Sequence, residues 1–448
     1  MSALLWLRRD LRRADLPALG AAAEAGDGRV QAVFVIDPTL WGRAGKVRTA
    51  WLAASLRAAV ASYDGNLSVR VGDPREVIPR LAAEHDSVHV STEPFPYGRA
   101  RDEAVRDALP DGVEWVETGS PYAITPGRVR KGDDTPYQVF TPFSRAWREH
   151  GWPRPAQAPA KLTLAAADDD GRAAQMIDKA LREGPDDLPD AGEDAALARW
   201  REFLDDAIDD YEDARDRPAV DATSRLSPYL KVGAIHPRTV LADLADKRSA
   251  GASAWETEIC WRDFYADVLW HHPDSAWSDL KPIGLDYDDP ADGIEAWKSG
   301  HTGFPVVDAG MRQLLATGWM HNRVRMITAS FLAKDLHAWW PVGAQHFLEH
   351  LLDGDVASNN HGWQWAAGTG TDAAPYFRVF NPVTQGKKFD PDGEYVRRWV
   401  PELAHLAGKA AHEPWEHDDG YAHDYPRRIV DHKEEREKAL DRYQKAKG

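Results

Sequence analysis

The sequence predicts a two-part fold: an α/β domain with a parallel sheet comes first, and a larger all-helical domain follows after a long linker. Short apolar runs alternate with segments of helical spacing over residues 1–130, a pattern typical of a parallel sheet covered by helices. Residues 131–195 are rich in Ala, Asp and Pro and show little periodicity, which indicates a linker. Residues 196–448 show helical spacing and no further strand pattern.

The first domain is expected to be Rossmann-like. We expect strands at residues 3–7, 30–36, 67–71, 87–91 and 114–116, and helices at residues 16–25, 48–63, 75–84 and 99–109. Asp73 is expected to cap the helix that follows the third strand. Neither GxGxxG nor GxxxxGK[ST] occurs here, so the usual nucleotide fingerprint is missing. In the second domain, the longest helices are expected at residues 195–211, 237–248, 254–271, 305–316, 324–340 and 341–352.

The composition is typical of a soluble globular protein. Of the 448 residues, 43% are hydrophobic and 28% are charged, and no apolar run approaches the roughly 18 residues of a membrane span. The apolar residues of MSALLWLRRDLRR precede its arginines, the reverse of a signal peptide. Cys260 is the single cysteine, so neither an internal disulfide nor a cysteine metal cluster can form. We expect a monomeric cytoplasmic protein.

The charge balance is acidic, with a formal net charge of −17. This argues weakly against nucleic acid, because binding to phosphates needs a basic surface. It leaves room for a local basic face, since the acidic runs, such as residues 168–170, fall in segments expected to be solvated. The 19 tryptophans leave room for a stacking or electron-transfer role.

One stretch, residues 353–382, is unlike an ordinary core element. It reads DGDVASNNHGWQWAAGTGTDAAPYFRVFNP. Polar groups buried without a partner cost about 1–3 kcal/mol each, so the stretch is either exposed or lines a polar pocket. Trp363 and Trp365 argue against full exposure. A pocket with aromatic walls and polar groups suits a large planar heteroaromatic ligand.

Two predicted helices carry a mixture of aromatic, polar and charged residues on one face. Each set has the spacing i, i+3 and i+4: Glu258, Trp261 and Arg262 in the first helix, and Asn322, Arg325 and Met326 around residues 318–326, with Trp319 one turn before. The alternatives are a surface ion pair in the first helix, and a helix cap and a core methionine in the second. Two such faces are typical of the walls of a cavity.

A hydroxyl-rich turn, Thr223-Ser224-Arg225-Leu226-Ser227-Pro228, precedes a short predicted helix. Hydroxyls and backbone N–H groups at a helix start can bind phosphate, but an ordinary helix cap explains this turn by itself. The histidines His271, His272, His301 and His321 have no paired ligand spacing, so we expect no metal site.

Six stretches carry a family resemblance that covers nearly the whole chain. They are WLRRDLRRADLPAL, TSRLSPYLKVGAIHP, WETEICWRDFY, GHTGFPVVDAGMRQL, TGWMHNRVRMITASFLAKDL and DGDVASNNHGWQWAAGTGTDAAPYFRVFNP. On these stretches the chain resembles the photolyase/cryptochrome flavoproteins, most closely the class I cyclobutane pyrimidine dimer DNA photolyases of the deazaflavin-antenna type. Photolyases act on bases flipped out of the duplex.

The resemblance implies a U-shaped FAD bound in the helical domain. The residues implied to hold it are Tyr211, Thr223, Ser224, Leu226 and Ser227 on the phosphate side, with Arg262, Arg325, Asp353, Asp355 and Asn359 at the rest of the cofactor. Arg325 is expected to pair with Asp353. Asn359 is expected beside flavin N5, where plant cryptochromes have an acid, and this favours a reduced anionic flavin as the working form.

The implied activity is light-driven electron transfer to a flipped-out dimer in UV-damaged DNA, after which the cyclobutane ring splits and the electron returns. Glu258 is expected to hydrogen-bond the carbonyl or amide edge of the dimer. The residues implied to contact or wall the dimer are Asn322, Met326, Trp261 and Trp365. Those implied to grip the flanking phosphates are Arg215, Arg323, Arg378 and Lys388, which makes a local basic face on an acidic protein.

Reduction of the resting flavin is implied to run along an aromatic chain. Trp363 and Trp340 match its inner members, and the outer position falls on Tyr287 instead of the usual Trp. A tyrosine must shed its phenolic proton on oxidation, so the outer step is slower or rerouted through another aromatic residue. The alternative is that Tyr287 is a surface residue without this role.

A second chromophore is also implied. Residues 93–102, EPFPYGRARD, resemble the family members that carry 8-hydroxy-5-deazaflavin, and Arg48, Asp102 and Lys231 fall at that pocket. The alternatives are methenyltetrahydrofolate, a flavin, or no antenna with purely structural charges.

Three other functions compete with dimer repair. A cryptochrome-type blue-light signalling protein has the same fold, but Asn322, Met326 and Asn359 disfavour it. A (6-4) photolyase is expected to use a histidine pair where this chain has Asn322 and Met326. A nucleotide-binding electron-transfer protein without DNA would explain the first domain and leave the second unexplained.

Overall fold

The computed structural model describes residues 2–168, 171–371 and 378–447. The chain divides into two compact units: unit 1 comprises the chain up to Asp209 together with Ser224–Pro273, and unit 2 comprises Asp210–Thr223 together with the chain from Asp274 onward. The predicted boundaries near residues 130 and 195 follow sequence periodicity and stay a prediction. The stretch 353–382 and the acidic run 168–170 lie partly outside the described residues.

Unit 1 is built on a parallel sheet with the strand order β3-β2-β1-β4-β5, and β6 pairs with the start of β2. The strands are β1 (Ala3–Leu7), β2 (Arg29–Ile36), β3 (Leu67–Val71), β4 (Ser87–Val90), β5 (Glu114–Glu117) and β6 (Thr163–Leu164). Every residue of the central β1 is buried, as expected for a parallel strand covered on both faces by helices. The parallel sheet and the helical remainder of the chain confirm the predicted fold class.

The helices of the described residues are, in chain order, α1 (Pro17–Ala25), α2 (Pro38–Trp41), α3 (Lys46–Ser62), α4 (Pro74–Ala82), α5 (Pro96–Asp107), α6 (Phe140–His150), α7 (Arg172–Glu183), α8 (Glu193–Asp206), α9 (Tyr211–Ala214), α10 (Ser227–Val232), α11 (Pro237–Leu244), α12 (Ala250–His271), α13 (Ala291–Ser299), α14 (Pro305–Thr317), α15 (Asn322–Lys334), α16 (Trp340–His350), α17 (Val356–Ala367), α18 (Pro382–Phe389), α19 (Glu394–Trp399) and α20 (His432–Lys447). Short 3₁₀ turns lie at Pro273–Ala276, Pro401–Leu403, Gly408–His412 and Pro414–Glu416. None of the helices in the described ranges combines the length and apolarity needed to cross a bilayer.

The helix ends follow local sequence rules. Proline opens α1, α4, α11, α14 and α18, where its missing N–H costs nothing and its fixed φ suits the helix. The Asp73 side chain accepts a hydrogen bond of 2.9 Å from the backbone N–H of Arg75, which confirms the predicted cap. Gly318 and Gly368 end α14 and α17 at φ values of +68° and +91°, a conformation that favours glycine.

Two sequence predictions of helix extent were wrong, and the predicted linker contains more regular structure than its sequence pattern indicated. The predicted helix at residues 324–340 ends at Lys334, because the chain reverses through His337 at φ +53° and Pro341 sets the first turn of a new helix, α16. The predicted helix at residues 195–211 ends at Asp206, and α9 begins at Tyr211. The segment read as a linker without periodicity contains β6, α6 and α7.

The core of unit 2 is aromatic. Its buried members include Trp297, Phe304, Phe331, Trp340, Phe347, Trp363 and Tyr395. Trp363 lies 5.0 Å from Phe347 and 5.8 Å from Trp297 between ring centroids. A methyl group at Gly343 of α16 would lie 2.1 Å from the Trp363 ring, so only glycine lets α16 approach this tryptophan.

Candidate functional site

Helix α12 of unit 1 is fixed by a buried carboxylate. Asp263 Oδ2 accepts hydrogen bonds from the backbone N–H of Ile124 (3.0 Å) and from Trp147 Nε1 (2.9 Å). Burial raises the pKa of Asp263 to about 6, and these hydrogen bonds oppose the shift. The next turn repeats the arrangement, since Asp267 accepts from the N–H of Gly127 at 2.6 Å. The helix therefore presents its other face in a fixed orientation.

That other face carries the predicted residues Glu258, Trp261 and Arg262, which are all half-buried. Trp261 stacks on Phe140, with ring centroids 3.5 Å apart and planes at 5°. The stack makes a flat aromatic surface, and Glu258 lies on the same face of α12, one helical turn before Trp261.

The Arg262 guanidinium is held by backbone carbonyls of unit 1. It donates hydrogen bonds to Pro121 O (2.8 Å) and Leu230 O (3.3 Å) and lies 4.2 Å from the ring of Tyr122. These contacts hold its positive charge close to α10, the helix that follows the hydroxyl-rich turn.

The hydroxyl-rich turn does not act as an ordinary helix cap. Leu226 occupies the cap position of α10 and makes no side-chain capping hydrogen bond. The Ser224 hydroxyl accepts from Trp255 Nε1 at 3.2 Å and from the backbone N–H of Leu226 at 3.4 Å, and Arg225 adopts φ +51°. Of the predicted phosphate-side residues, Ser224, Leu226 and Ser227 belong to unit 1, and Tyr211 and Thr223 belong to unit 2.

The expected ion pair between Arg325 and Asp353 is present in unit 2. The guanidinium donates to both carboxylate oxygens, at 3.1 and 2.9 Å, and its Nε donates to Met320 O at 2.8 Å. The Asp353 side chain is only 6% exposed, so the pairing offsets the cost of burying its charge.

Two further predicted residues lie on the first turn of α17. Asp355 caps the helix, and its Oδ1 accepts from the N–H of Ser358 at 3.1 Å. Asn359 donates from Nδ2 to Ala344 O (3.1 Å) and to Asn360 Oδ1 (2.8 Å). Both recorded hydrogen bonds use the amide nitrogen, so the amide is held in one orientation.

The predicted electron-transfer tryptophans are buried. Trp363 and Trp340 are 2% and 0% exposed. The Nε1 of Trp363 has no hydrogen-bond partner among the described residues, whereas Nε1 of Trp340 donates to Asp279 Oδ1 at 2.7 Å. Trp365, on the same helix as Trp363, is half-buried and lies 6.3 Å from Phe380.

An aromatic residue that the sequence analysis missed joins Trp340 to Tyr287. Trp339 lies 6.5 Å from Trp340 and 6.4 Å from Tyr287 between ring centroids, and it is 41% exposed. The adjacent pair Trp339-Trp340 was visible in the sequence. The exposure of Trp339 could not be predicted, because it follows the unusual backbone conformation at His337.

Arg323, a predicted phosphate-binding residue, forms an ion pair with a carboxylate of unit 2. Its guanidinium donates to both oxygens of Asp216 at 2.7 Å and lies 4.4 Å from the ring of Phe389. Its NH1 is also 3.8 Å from the sulfur of Met326. Asn322 is exposed and Met326 is half-buried. Asp216 was missed because the two residues are 107 positions apart.

The other predicted phosphate-binding residues all belong to unit 2. Arg378 and Lys388 are exposed, and Arg215 is half-buried with its guanidinium 5.8 Å from the Tyr211 ring. Arg378 borders residues 372–377, which lie outside the described ranges. Its backbone carbonyl accepts from Lys334 Nζ at 3.1 Å.

The predicted antenna residues divide into two groups in unit 1. Arg48 lies on α3 and Lys231 on α10, and these helices meet where Trp51 Nε1 donates to Pro228 O at 3.3 Å. Asp102 lies on α5 and accepts from Arg8 at 2.8 Å and from Arg101 at 2.7 Å. Asp102 is thus a buried member of an ion-pair network with two arginines.

Family models and relatives that match this chain are DNA photolyases. Residues 3–160 match the family model described as DNA photolyase, and residues 255–445 match the one described as FAD binding domain of DNA photolyase. A deoxyribodipyrimidine photo-lyase of Escherichia coli is 39% identical, with 99% of this chain and 98% of that protein covered.

Solved structures agree with these matches. A bacterial class III photolyase from Agrobacterium tumefaciens superimposes with a TM-score of 0.89 at 37% identity, covering 100% of this chain and 98% of that one. An archaeal photolyase from Sulfolobus tokodaii, solved with two FAD molecules, gives a TM-score of 0.84 at 27% identity, covering 99% of this chain and 100% of that one.

Proposed function

The chain belongs to the DNA photolyase family, and on that premise we propose that it is a class I deoxyribodipyrimidine photo-lyase, which splits cyclobutane pyrimidine dimers in UV-damaged DNA under light. The observation that carries the proposal is the match over 99% of the chain to an enzyme of that name. Two parts of the structure support it, because each combines aromatic walls with polar groups. They are the start of α17 and the face of α12 that carries Glu258, Trp261 and Arg262, here called its open face.

The polar groups at the start of α17 suit FAD. Asp353 and Asp355 are both nearly buried carboxylates, which can accept hydrogen bonds from the hydroxyls of the ribityl and adenosine parts. The fixed amide of Asn359 suits the polar edge of the flavin ring. Trp363 keeps a buried indole N–H without a partner among the described residues. When bound and reduced, FAD supplies the light absorption and the single electron that opens the dimer.

The remaining cofactor residues keep the assignments that the resemblance gives them. We assign the phosphate side of FAD to Tyr211, Thr223, Ser224, Leu226 and Ser227, with Arg262 as a further cofactor contact. The start of α10 supports this, because Leu226 in its cap position makes no side-chain capping hydrogen bond and backbone N–H groups at a helix start can bind phosphate.

Glu258 is the proposed stabiliser of charge on the dimer. Its place on the open face of α12, one turn from the Phe140–Trp261 stack, combines a hydrogen-bonding group with a flat surface on which a base can lie. Asn322 and Met326 at the start of α15 and Trp365 of α17 are proposed as the further contacts of the flipped-out dimer.

Electrons for reducing the resting cofactor are proposed to pass through Trp363, Trp340 and Tyr287. The contacts of Trp339 with both Trp340 and Tyr287 support adding it between them. The hydrogen bond from Trp340 Nε1 to the Asp279 carboxylate stabilises positive charge on that indole.

DNA binding is assigned to Arg215, Arg323, Arg378 and Lys388. Their exposed or half-exposed cationic groups supply phosphate contacts on a protein whose net charge is −17. The ion pair of Arg323 with Asp216 means that one of these cations must exchange partners when DNA binds.

The antenna is proposed to be 8-hydroxy-5-deazaflavin, held by Arg48, Asp102 and Lys231. The meeting of α3 and α10 supports a shared role for Arg48 and Lys231. Extraction of the bound chromophores followed by mass spectrometry decides between deazaflavin, methenyltetrahydrofolate, a second flavin and none.

The test of the function is repair of a dimer-containing oligonucleotide by reduced, anaerobic, flavin-loaded protein under blue light. We expect light-dependent recovery of intact thymines. Glu258→Ala should keep FAD and lower the repair yield several-fold. The matched control is Glu256→Ala, which removes another carboxylate of α12, one that is paired with Arg148 of α6. Full flavin loading without repair by the wild-type chain would instead support the cryptochrome-type function.

A further inference from the structure

The last turn of α16 carries three metal-ligand side chains on one face. His346, Glu349 and His350 have the spacing i, i+3 and i+4. One donor atom from each side chain can be chosen so that all three lie within 4.8 Å of one another. A tetrahedral zinc ion holds its ligand atoms about 2.0–2.2 Å away, so these donors need only small side-chain rotations to meet on one ion.

The ring of His350 is held by a hydrogen bond within the helix. Its Nδ1 lies 2.9 Å from the backbone carbonyl oxygen of His346. A carbonyl only accepts hydrogen bonds, so Nδ1 carries the hydrogen in the neutral ring, and Nε2 keeps the lone pair. A hydrogen bond of this kind fixes the tautomer and the ring orientation of ligating histidines in metal sites.

The ring of His346 is buried and has spare bonding capacity. The residue is 7% exposed, and its Nε2 has no hydrogen-bond partner among the described residues. This buried nitrogen is therefore a candidate metal ligand, because the neutral imidazole binds metals through a ring nitrogen.

The charges around the turn favour a cation. Glu349 contributes a carboxylate, held by a hydrogen bond of 3.0 Å from Gln345 to its Oε1, and the carbonyl end of α16 adds negative potential. Lys298 is the lysine whose positive charge is felt at His346. It is itself paired with Glu295 at 2.8 Å. Glu349 and His350 are half-buried, which leaves a path for the ion and room for water.

We propose that His346, Glu349 and His350 form a binding site for one Zn²⁺ ion, with water in the fourth position. Two imidazoles and one carboxylate are a ligand set that zinc favours over magnesium or calcium, which prefer oxygen ligands only. The ion would fix the end of α16, the helix whose Gly343 and Phe347 contact Trp363. This site revises the expectation of no metal, which considered other histidines.

Calorimetric titration of the chelator-treated, flavin-loaded protein with Zn²⁺ tests the proposal. We expect one ion per chain and a higher Tm with Zn²⁺ present. His350→Ala and Glu349→Gln should each weaken binding about tenfold or more and reduce the Tm shift. Both positions are half-buried, so these variants should keep their fold and flavin.

A second close histidine pair provides the control. The rings of His405 and His423 lie 4.8 Å apart, and Asp419 Oδ2 lies 3.9 Å from His405 Nε2. Among the described residues, however, this pair and a carboxylate do not bring three donor atoms within 4.8 Å of one another. His423→Ala should bind Zn²⁺ like the wild type. The proposal is overturned if wild type and His350→Ala bind Zn²⁺ equally, or if His423→Ala loses as much binding as His350→Ala.

Discussion

The aromatic rings of Tyr287 and Trp339 lie 6.4 Å apart between centroids, with their planes at 38°. Because Trp339 also contacts Trp340, it lies between the buried tryptophan and the predicted outer tyrosine. We expect Trp339→Phe to slow photoreduction of oxidised flavin by an external thiol several-fold. Tyr287→Phe should have a smaller effect, since an indole is oxidised without first losing a proton. Both rates are measured from the loss of the absorbance of oxidised flavin after defined periods of illumination.

Trp277→Phe is the control for this comparison, because Trp277 and Trp339 are both 41% exposed. It should photoreduce at the wild-type rate. A wild-type rate in Trp339→Phe would show that electrons leave Trp340 by another path. A larger effect of Tyr287→Phe than of Trp339→Phe would show that Tyr287 receives the electron hole without Trp339.

Trp363→Phe should block photoreduction while leaving repair by chemically pre-reduced enzyme intact. The reason is that Trp363 is proposed as the inner member of the path but not as a contact of the dimer. Repair yield and photoreduction rate are measured on the same preparation. Trp297→Phe is the control, since Trp297 is equally buried, lies 5.8 Å from Trp363 and has no place in the path. Photoreduction that survives in Trp363→Phe would contradict the proposed path.

Asp216→Asn should raise the affinity for dimer-containing DNA in the dark by a few-fold. The change releases Arg323 from its ion pair with Asp216, and a part-exposed pair of this kind is worth about 0.2–1 kcal/mol. Fluorescence anisotropy with labelled oligonucleotide at two salt concentrations gives the affinity and its salt dependence.

Glu402→Gln is the control for Asp216→Asn, because it breaks a comparable part-buried pair with Arg312. It should leave DNA affinity unchanged. An unchanged or lower affinity in Asp216→Asn would mean that Arg323 does not contact phosphate, or that Asp216 positions it to do so.

The sequence predicted what depends on local pattern. The five principal strands were found because each is a short apolar run between turns, and the Asp73 cap because Asp-Pro precedes a helical pattern. Helices α6 and α7 were missed although their buried residues, such as Ala173, Ile177 and Ala180, have helical spacing. In α7, alanine gives that face little apolar contrast. Helix α6 was missed although its buried residues Phe140, Phe143 and Trp147 also have helical spacing.

The site was predictable to the extent that the family motifs carry it. The ion pair between Arg325 and Asp353 followed from the resemblance. The pairing of Arg323 with Asp216 could not, because it depends on how distant segments of unit 2 meet. The spacing of His346, Glu349 and His350 was visible in the sequence, but the buried state of His346 was not.

Asp263→Asn tests the electrostatics that fix α12. The pKa of Asp263 is raised from 3.8 to about 6, chiefly by burial, so the folded state binds its proton more tightly than the unfolded state does. Its stabilising contribution is therefore fully present below about pH 4 and is lost as the pH rises through 6. The free energy of unfolding of Asp263→Asn, relative to wild type, should rise by up to about 3 kcal/mol between pH 4 and 7.

Urea unfolding followed by tryptophan fluorescence at several pH values measures this difference. The asparagine Oδ1 can still accept from the N–H of Ile124 and from Trp147, so the variant should fold. Glu256→Gln, which replaces a half-buried carboxylate of the same helix, is the control variant and is measured at the same pH values. If the difference between Asp263→Asn and wild type stays constant from pH 4 to 7, the two hydrogen bonds fully offset the burial of the charge, and the pKa of Asp263 is not raised in the folded protein.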